Sequence, residues 1–553
     1  MNYNSAQFWL LFSFILSVYW RCGHRNQNRV LLIGSYIFYG FWDYRFLCLI
    51  LISTIVDFIG GLGVAGRRIS TRKLCLIWGL LFLSSLVFSS AVVDSSASLI
   101  KGDWPRITVN RLINWKTALI PGCVVGVIVA YSFSLPWLFS LPEKSRKLAF
   151  LWISMVANVA ILGFFKYCDF FVESTRQLFI NVGCGDPGWT VLGIILPAGI
   201  SFYTFQAMSY TVDIYRQECE PTDNFTDFAL FVCFFPHLVA GPIMRAHTLL
   251  PQVTNPRTFH YRQLTDGFYL ILIGLFKKVV LADNLAPIAD DLFFAFADDQ
   301  ANSRNLISVV VGLYAFAWQI YGDFAGYSAI ARGISKWLGF ELVINFDQPY
   351  LSTTPSEFWR RWHISLSTWL RDYLYIPLGG NRGSSGRTYL NLFITMLLGG
   401  FWHGASWTFV VWGAYHGFLL SVFRFFGVRD SHPKRSFSSW IWYLFSVFIM
   451  FHLTLFGWLL FRADSFQSII AILSTVCHDD RFSVSVYNHG AISLILIYAS
   501  PVLILDLITS GERRLARVTD GSILLQAVVY SFIVIMIMFF QAEKPGAFIY
   551  FQF

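Results

Sequence analysis

LCLIWGLLFLSSLVFSSAVV, residues 74–93, is a run of 20 residues without a charge. An α-helix needs about 20 apolar residues to cross the roughly 30 Å hydrocarbon core of a bilayer. No water is present there to satisfy free backbone amides, so the run is predicted to span as a helix. Arg67, Arg68, Arg72 and Lys73 stand just before it, and short loops rich in Lys and Arg stay on the cytoplasmic side.

Outward from that run the pattern recurs near residues 30–52, 118–139, 148–165, 191–212, 268–281, 306–321, 439–461, 492–507 and 523–540. Shorter or interrupted runs lie at 8–20, 228–239, 390–401 and 408–423. The length rule predicts an all-α polytopic membrane protein with about 11 to 16 transmembrane or re-entrant helices. We expect a single polytopic domain over 1–553. Lys144, Arg146 and Lys147 fall on the same side as the first basic loop, as do Arg513, Arg514 and Arg517. By the same rule the loops 94–116 and 167–189 face outward, and the tail 541–553 is extracytoplasmic.

Composition agrees: of 553 residues 56% are hydrophobic and 13% are charged, against roughly 25% charged in soluble chains. The net charge of +9 fits cytoplasmic loop bias and anionic lipid headgroups, and no nucleic-acid motif accompanies it. The first 20 residues lack the basic start and small-residue cleavage site of a secretory signal. Nine cysteines are scattered without metal spacing, so no metal site is expected, and most should be small buried hydrophobes.

The rhythm of spans breaks in a polar section, 339–404, that holds FWRRWHISLSTWLRD (358–372) and FWHGASW (401–407). Polar backbone at membrane depth is tolerated where protein buries it or where it lines a watery cavity, so the section reads as the floor of a reaction chamber. Thr354 and Pro355 open a predicted helix. If it is continuous, Trp359, His363, Leu366 and Leu370 share one face, with Arg360, Arg361 and Arg371 elsewhere. Around His403 the residues Gly399, Gly400, Gly404 and Ala405 allow close backbone approach. Asp323 sits beside glycines in a span, as though the helix were broken there, and an intramembrane acid is a site candidate.

FFPHLVAGPI (234–243), WRRWHISLS (359–367), DYLYIPLGGN (372–381) and WHG (402–404) together resemble the membrane-bound O-acyltransferase (MBOAT) family. Within it the chain is most similar to the bacterial alginate O-acetylation branch. That resemblance implies a many-helix fold around a central tunnel in the bacterial inner membrane. It implies acetyl coenzyme A or another acyl thioester as cytoplasmic donor, without a bound cofactor. His403 matches the family's catalytic histidine and His363 the second histidine of the branch. A general base within reach of the hydroxyl is what acyl transfer requires, so His403 is expected as base and His363 as the orienting residue. Arg360, Arg361 and Arg371 suit the donor's phosphates, and Trp359, Trp402, Asn381 and Asp323 are assigned to substrate.

The tail, FIYFQF (548–553), resembles the aromatic C-terminal motif with a central tyrosine found in acyl-transfer systems of this family, which makes Tyr550 a candidate acyl relay. The implied partners are membrane lipids and an extracytoplasmic SGNH-type acetyltransferase or polysaccharide assembly complex. The alternative is a transporter or channel in which His363, His403 and Asp323 form a proton or substrate path.

Overall fold

The computed structural model describes residues 3–98, 115–238, 241–297, 305–432, 436–478, 486–509, 518–542, 546, 548 and 549. Among these, every regular element is helical. Seven stretches are long and apolar enough to cross a membrane: His24–Ala65, Thr71–Ser89, Pro121–Ser140, Glu143–Asn181, Leu306–Trp337, Phe437–Arg462 and Asn488–Ile508. Four shorter apolar helices accompany them. Large apolar side chains such as Leu76, Phe133, Phe437 and Ile523 are exposed on these helices, the surface that a lipid environment accommodates. Most cysteines, expected as small buried hydrophobes, are not core residues: only Cys48 and Cys233 are buried.

The chain groups into two compact units, Met1–Val239 with Ile243–Arg257, and Ala240–Pro242 with Thr258–Phe553. The first contains α1 (Ala6–Tyr19), α2 (His24–Asp43), α3 (Leu47–Ala65), α4 (Thr71–Ser98), α5 (Trp115–Ser140), α6 (Glu143–Leu162), α7 (Cys168–Asn181), α8 (Ile200–Tyr215), α9 (Phe225–Cys233), α10 (Phe235–Leu238) and α11 (Ala246–Thr254). The apolar run 30–52 is two helices rather than one. Asp43 accepts hydrogen bonds from the Arg45 backbone and Nε, at 3.0 and 2.8 Å, and a single turn Tyr44–Phe46 separates α2 from α3. The run 191–212 begins irregular, and α8 is buried on almost all sides. Asp57, on α3, is buried where α6 and α8 meet it, held by Asn158 Nδ2 at 2.8 Å, by Thr211 Oγ1 at 3.3 Å and by Ser154. A buried carboxylate persists when its acceptor positions are filled in this way.

The second unit contains α12 (Tyr261–Leu275), α13 (Asp283–Ala297), α14 (Leu306–Trp337), α15 (Pro355–Arg361), α16 (Ile364–Leu370), α17 (Ser385–His403), α18 (Trp407–Phe425), α19 (Phe437–Arg462), α20 (Phe466–His478), α21 (Val486–Thr509) and α22 (Ile523–Phe539). A π-helical segment, Phe276–Ala282, joins α12 to α13. The glycines near Asp323 do not break a helix: α14 runs unbroken through all 32 residues. Gly326 instead lets α14 meet α12, since a Cβ there would lie 2.8 Å from the Gly274 carbonyl oxygen. Small residues take this role in helix pairs that lipid does not push together.

Candidate active site

The helix expected through His363 is interrupted at that residue. Thr354 caps α15 by accepting the Glu357 amide, but Trp362 is extended and His363 takes φ 42°, ψ 54° before α16 starts. A left-handed conformation is costly for a non-glycine residue and persists only where its surroundings over-determine it. Here the irregular segment 345–347 supplies that constraint. Asp347 donates its amide to the Arg361 carbonyl, and Ile364 donates to the Asn345 carbonyl, both at 2.9 Å. The groups that a continuous helix would have paired internally are thus paired across the break.

The Asn345 side chain then decides the chemistry of the imidazole. Its Oδ1 accepts the Ser365 backbone amide at 3.2 Å and the Ser365 hydroxyl at 2.9 Å, while its Nδ2 donates to Ser328 Oγ at 3.2 Å. A backbone amide can only donate, so the carboxamide orientation is determined. His363 Nδ1, 3.1 Å from the same Oδ1, must therefore carry the proton, which leaves Nε2 with its lone pair. His363 is fully buried, and burial pushes its pKa down to about 3. It is neutral throughout the physiological range, the state that accepting a proton requires.

His403 ends α17, in a box made by Trp402, Trp412 and Phe461 at ring distances of 5.0, 5.0 and 5.4 Å. A Cβ on Gly400 would lie 2.3 Å from the Phe409 carbonyl oxygen, and one on Gly404 would lie 2.2 Å from the Phe409 ring. Glycine at these positions lets α18 close on the end of α17. The fold brings the two histidines together, with ring centroids 6.5 Å apart and Trp402 6.1 Å from His363. Two buried imidazoles that both pack near Trp402 suit proton transfer to and from a bound hydroxyl or thiol.

The model of the membrane-bound O-acyltransferase family matches residues 221–462, which include both histidines. The protein described as "Probable alginate O-acetylase AlgI" from Pseudomonas aeruginosa is 36% identical over 84% of this chain and 73% of its own. The one of the same description from Pseudomonas putida is 34% identical over the full length of both. "Peptidoglycan O-acetyltransferase" of Helicobacter pylori is 33% identical over 79% of this chain and 89% of its own. The chain belongs to the membrane-bound O-acyltransferase family. It is a multi-pass membrane enzyme, and between transferase and transporter the family decides for the transferase.

Other expected site residues of this acyltransferase are distributed differently. Trp359 is buried against Trp412 and His416, at 5.7 and 5.1 Å, and reaches His403 through Trp412. Arg360 pairs with Asp430, Arg361 with Glu357 at 2.7 Å, and Arg371 with Asp372 at 2.6 Å. The three arginines thus each face a nearby carboxylate. Asn381 is exposed on its turn, which Asn391 of α17 ties down by donating to the Gly380 carbonyl at 3.0 Å. His237, in the first unit, donates to Gln206 Oε1 at 2.7 Å, and His452 contacts Tyr314 Oη at 3.0 Å and the Phe448 carbonyl at 2.8 Å. Tyr550 lies outside the described residues, as does most of the loop 94–116. Sequence reasoning missed Asn345, whose type is common in loops. It also passed over Lys277 and Lys278, although two lysines within an apolar run are a signal of function or pairing.

Proposed function

We propose that this acyltransferase moves an acetyl group from cytoplasmic acetyl coenzyme A to an extracytoplasmic polysaccharide, in a bacterial inner membrane. The observation that carries the reading is the 6.5 Å approach of the buried His363 and His403 among aromatic rings. His403 serves as general base: the acceptor oxygen attacks the thioester carbonyl carbon, its proton passes to the imidazole, and collapse of the tetrahedral intermediate breaks the C–S bond. The proton then goes to the departing thiolate. His363, with Nε2 as acceptor, orients the attacking group. Arg360, Arg361 and Arg371 meet the donor's phosphates, which compete with their present carboxylate partners, while Trp359, Trp402, Asn381 and Asp323 border the substrate path.

Tyr550 receives the acetyl group on its phenol and presents it outside, dividing one transfer into two. An SGNH-type enzyme or assembly complex then takes it to the glycan. The relatives described as alginate and peptidoglycan acetylating enzymes support a surface polysaccharide as the final acceptor. The test is thiol release and labelled acetyl transfer from acetyl coenzyme A by purified protein. His403→Ala should lower both by 10²-fold or more, in the range expected for one acid–base group, and unchanged transfer in that variant would remove the base assignment.

A further inference from the structure

A second buried cluster in the same unit joins Asp323, on the proposed substrate path, to Lys278 and Asp283, which have no role in the transfer chemistry. Lys278, on the π-helical segment, lies 2.8 Å from Asp283 Oδ1 and 2.9 Å from Asp323 Oδ1, with all three side chains at most 3% exposed. Lys277, its neighbour, pairs separately with Asp506 at 2.6 Å. The extra residue of a π-bulge allows two consecutive lysines to point inward, and such bulges concentrate at functional positions. The Lys278 cluster holds two carboxylates for one ammonium. Burying that imbalance is costly unless further donors complete it.

Those donors come from the end of the chain. The Gly546 amide donates to Asp283 Oδ1 at 3.2 Å, and the Ile549 amide to Asp323 Oδ2 at 2.7 Å. Lys278 Nζ in turn donates to the Gly546 carbonyl at 3.1 Å. Phe548, between the two amides, is fully buried, 4.4 Å from the Tyr327 ring and 6.1 Å from Phe324. Phe324 packs edge-on to His363 at 4.7 Å. Adjacent residues of α14 therefore connect the tail to the site: Asp323 holds its backbone, and Phe324 stands between Phe548 and the imidazole.

We infer that Lys278, Asp283 and Asp323 form a clamp that seats Gly546, Phe548 and Ile549 of the C-terminal segment near His363, with Asp323 as a positioning residue for the tail. This rests on the proposed transfer reaction, since the next residue in the chain is Tyr550. The groups that the cluster binds are the backbone amides of Gly546 and Ile549 and the Gly546 carbonyl, so its occupant is a segment of this same chain.

Hydrogen–deuterium exchange on the purified full chain, read on the peptide covering 541–553, measures the seating directly. Asp323→Ala should speed exchange there at least tenfold while peptides from α17 and α18 keep their protection. Asp323→Asn, which keeps an acceptor oxygen but loses the ion pair, should fall between. Ile549→Pro removes the donated amide without touching α14 and should loosen the tail equally, which covers the case in which Asp323→Ala does not fold. In each loosened variant, kcat for labelled acetyl transfer from acetyl coenzyme A should fall tenfold or more with donor KM within twofold. Tail exchange within twofold of the parent in both Asp323→Ala and Ile549→Pro would overturn the clamp, and a loosened tail with unchanged kcat would overturn the positioning role. Tyr550→Phe should lose transfer with tail protection intact, so failure of the relay and failure of the clamp give different results.

Discussion

His363 combines a left-handed backbone with a neutral imidazole of determined tautomer, and each property can be tested separately. The φ of 42° costs an L-residue roughly 1–2 kcal/mol that glycine avoids. His363→Gly and His363→Ala should therefore both impair transfer, but the glycine variant should resist thermal unfolding in detergent better, by about 1 kcal/mol. Equal melting would mean that the strain is not borne locally. The tautomer depends on Asn345. In Asn345→Asp a carboxylate beside Nδ1 opposes the effect of burial and raises the His363 pKa from about 3 toward neutrality. Protonation then occupies Nε2 at higher pH, so the acid limb of the pH–rate profile should move upward relative to the parent. Titrations of other groups are common to both profiles, and an unmoved limb would separate Asn345 from the reaction.

At the scale of elements, the site depends on two junctions where helices end. One is the α15–α16 break, whose backbone groups are satisfied by residues 345–347. The other is the contact of α17 with α18 at Gly400, where a methyl group would meet backbone on the partner helix. Gly400→Ala must push the helices apart and displace His403. Overpacking of this kind costs typically about 1–3 kcal/mol. We expect a lowered unfolding temperature together with lost thiol release. A stable variant of normal activity would show that α18 does not set the position of His403.

For the whole molecule, membrane residence and the route of the acyl group are each open to a direct test. The seven membrane-length helical stretches among the described residues should keep the chain in the membrane pellet through an alkaline carbonate wash, and release into the supernatant would contradict the multi-pass reading. Tyr550→Phe should abolish acetylation of the outer acceptor while the protein still assembles in the membrane. Full acceptor acetylation in that variant would exclude the phenol as carrier. The charge of the basic loops predicts a tail on the outer side, and Gly546 and Ile549 are hydrogen-bonded within the second unit. An impermeant protease applied to intact cells should accordingly leave the terminus uncut until Asp323 is replaced.

The sequence by itself determined the helical membrane class, because apolar runs of bilayer length have few other solutions. The motifs around His363 and His403 likewise carried the resemblance to the family, and made both histidines candidates, since a titratable side chain in membrane surroundings is expensive. Tertiary structure alone decided what surrounds them. The break at His363, the proton on Nδ1 and the unbroken α14 at Asp323 each depend on partners distant in the chain: Asn345, Ser328 and Gly274. Local periodicity carries no record of such partners. The same holds for the tail, whose amides complete a charge cluster more than 200 residues earlier. Burial makes the pairing of charges obligatory, but only the folded chain chooses which groups supply it.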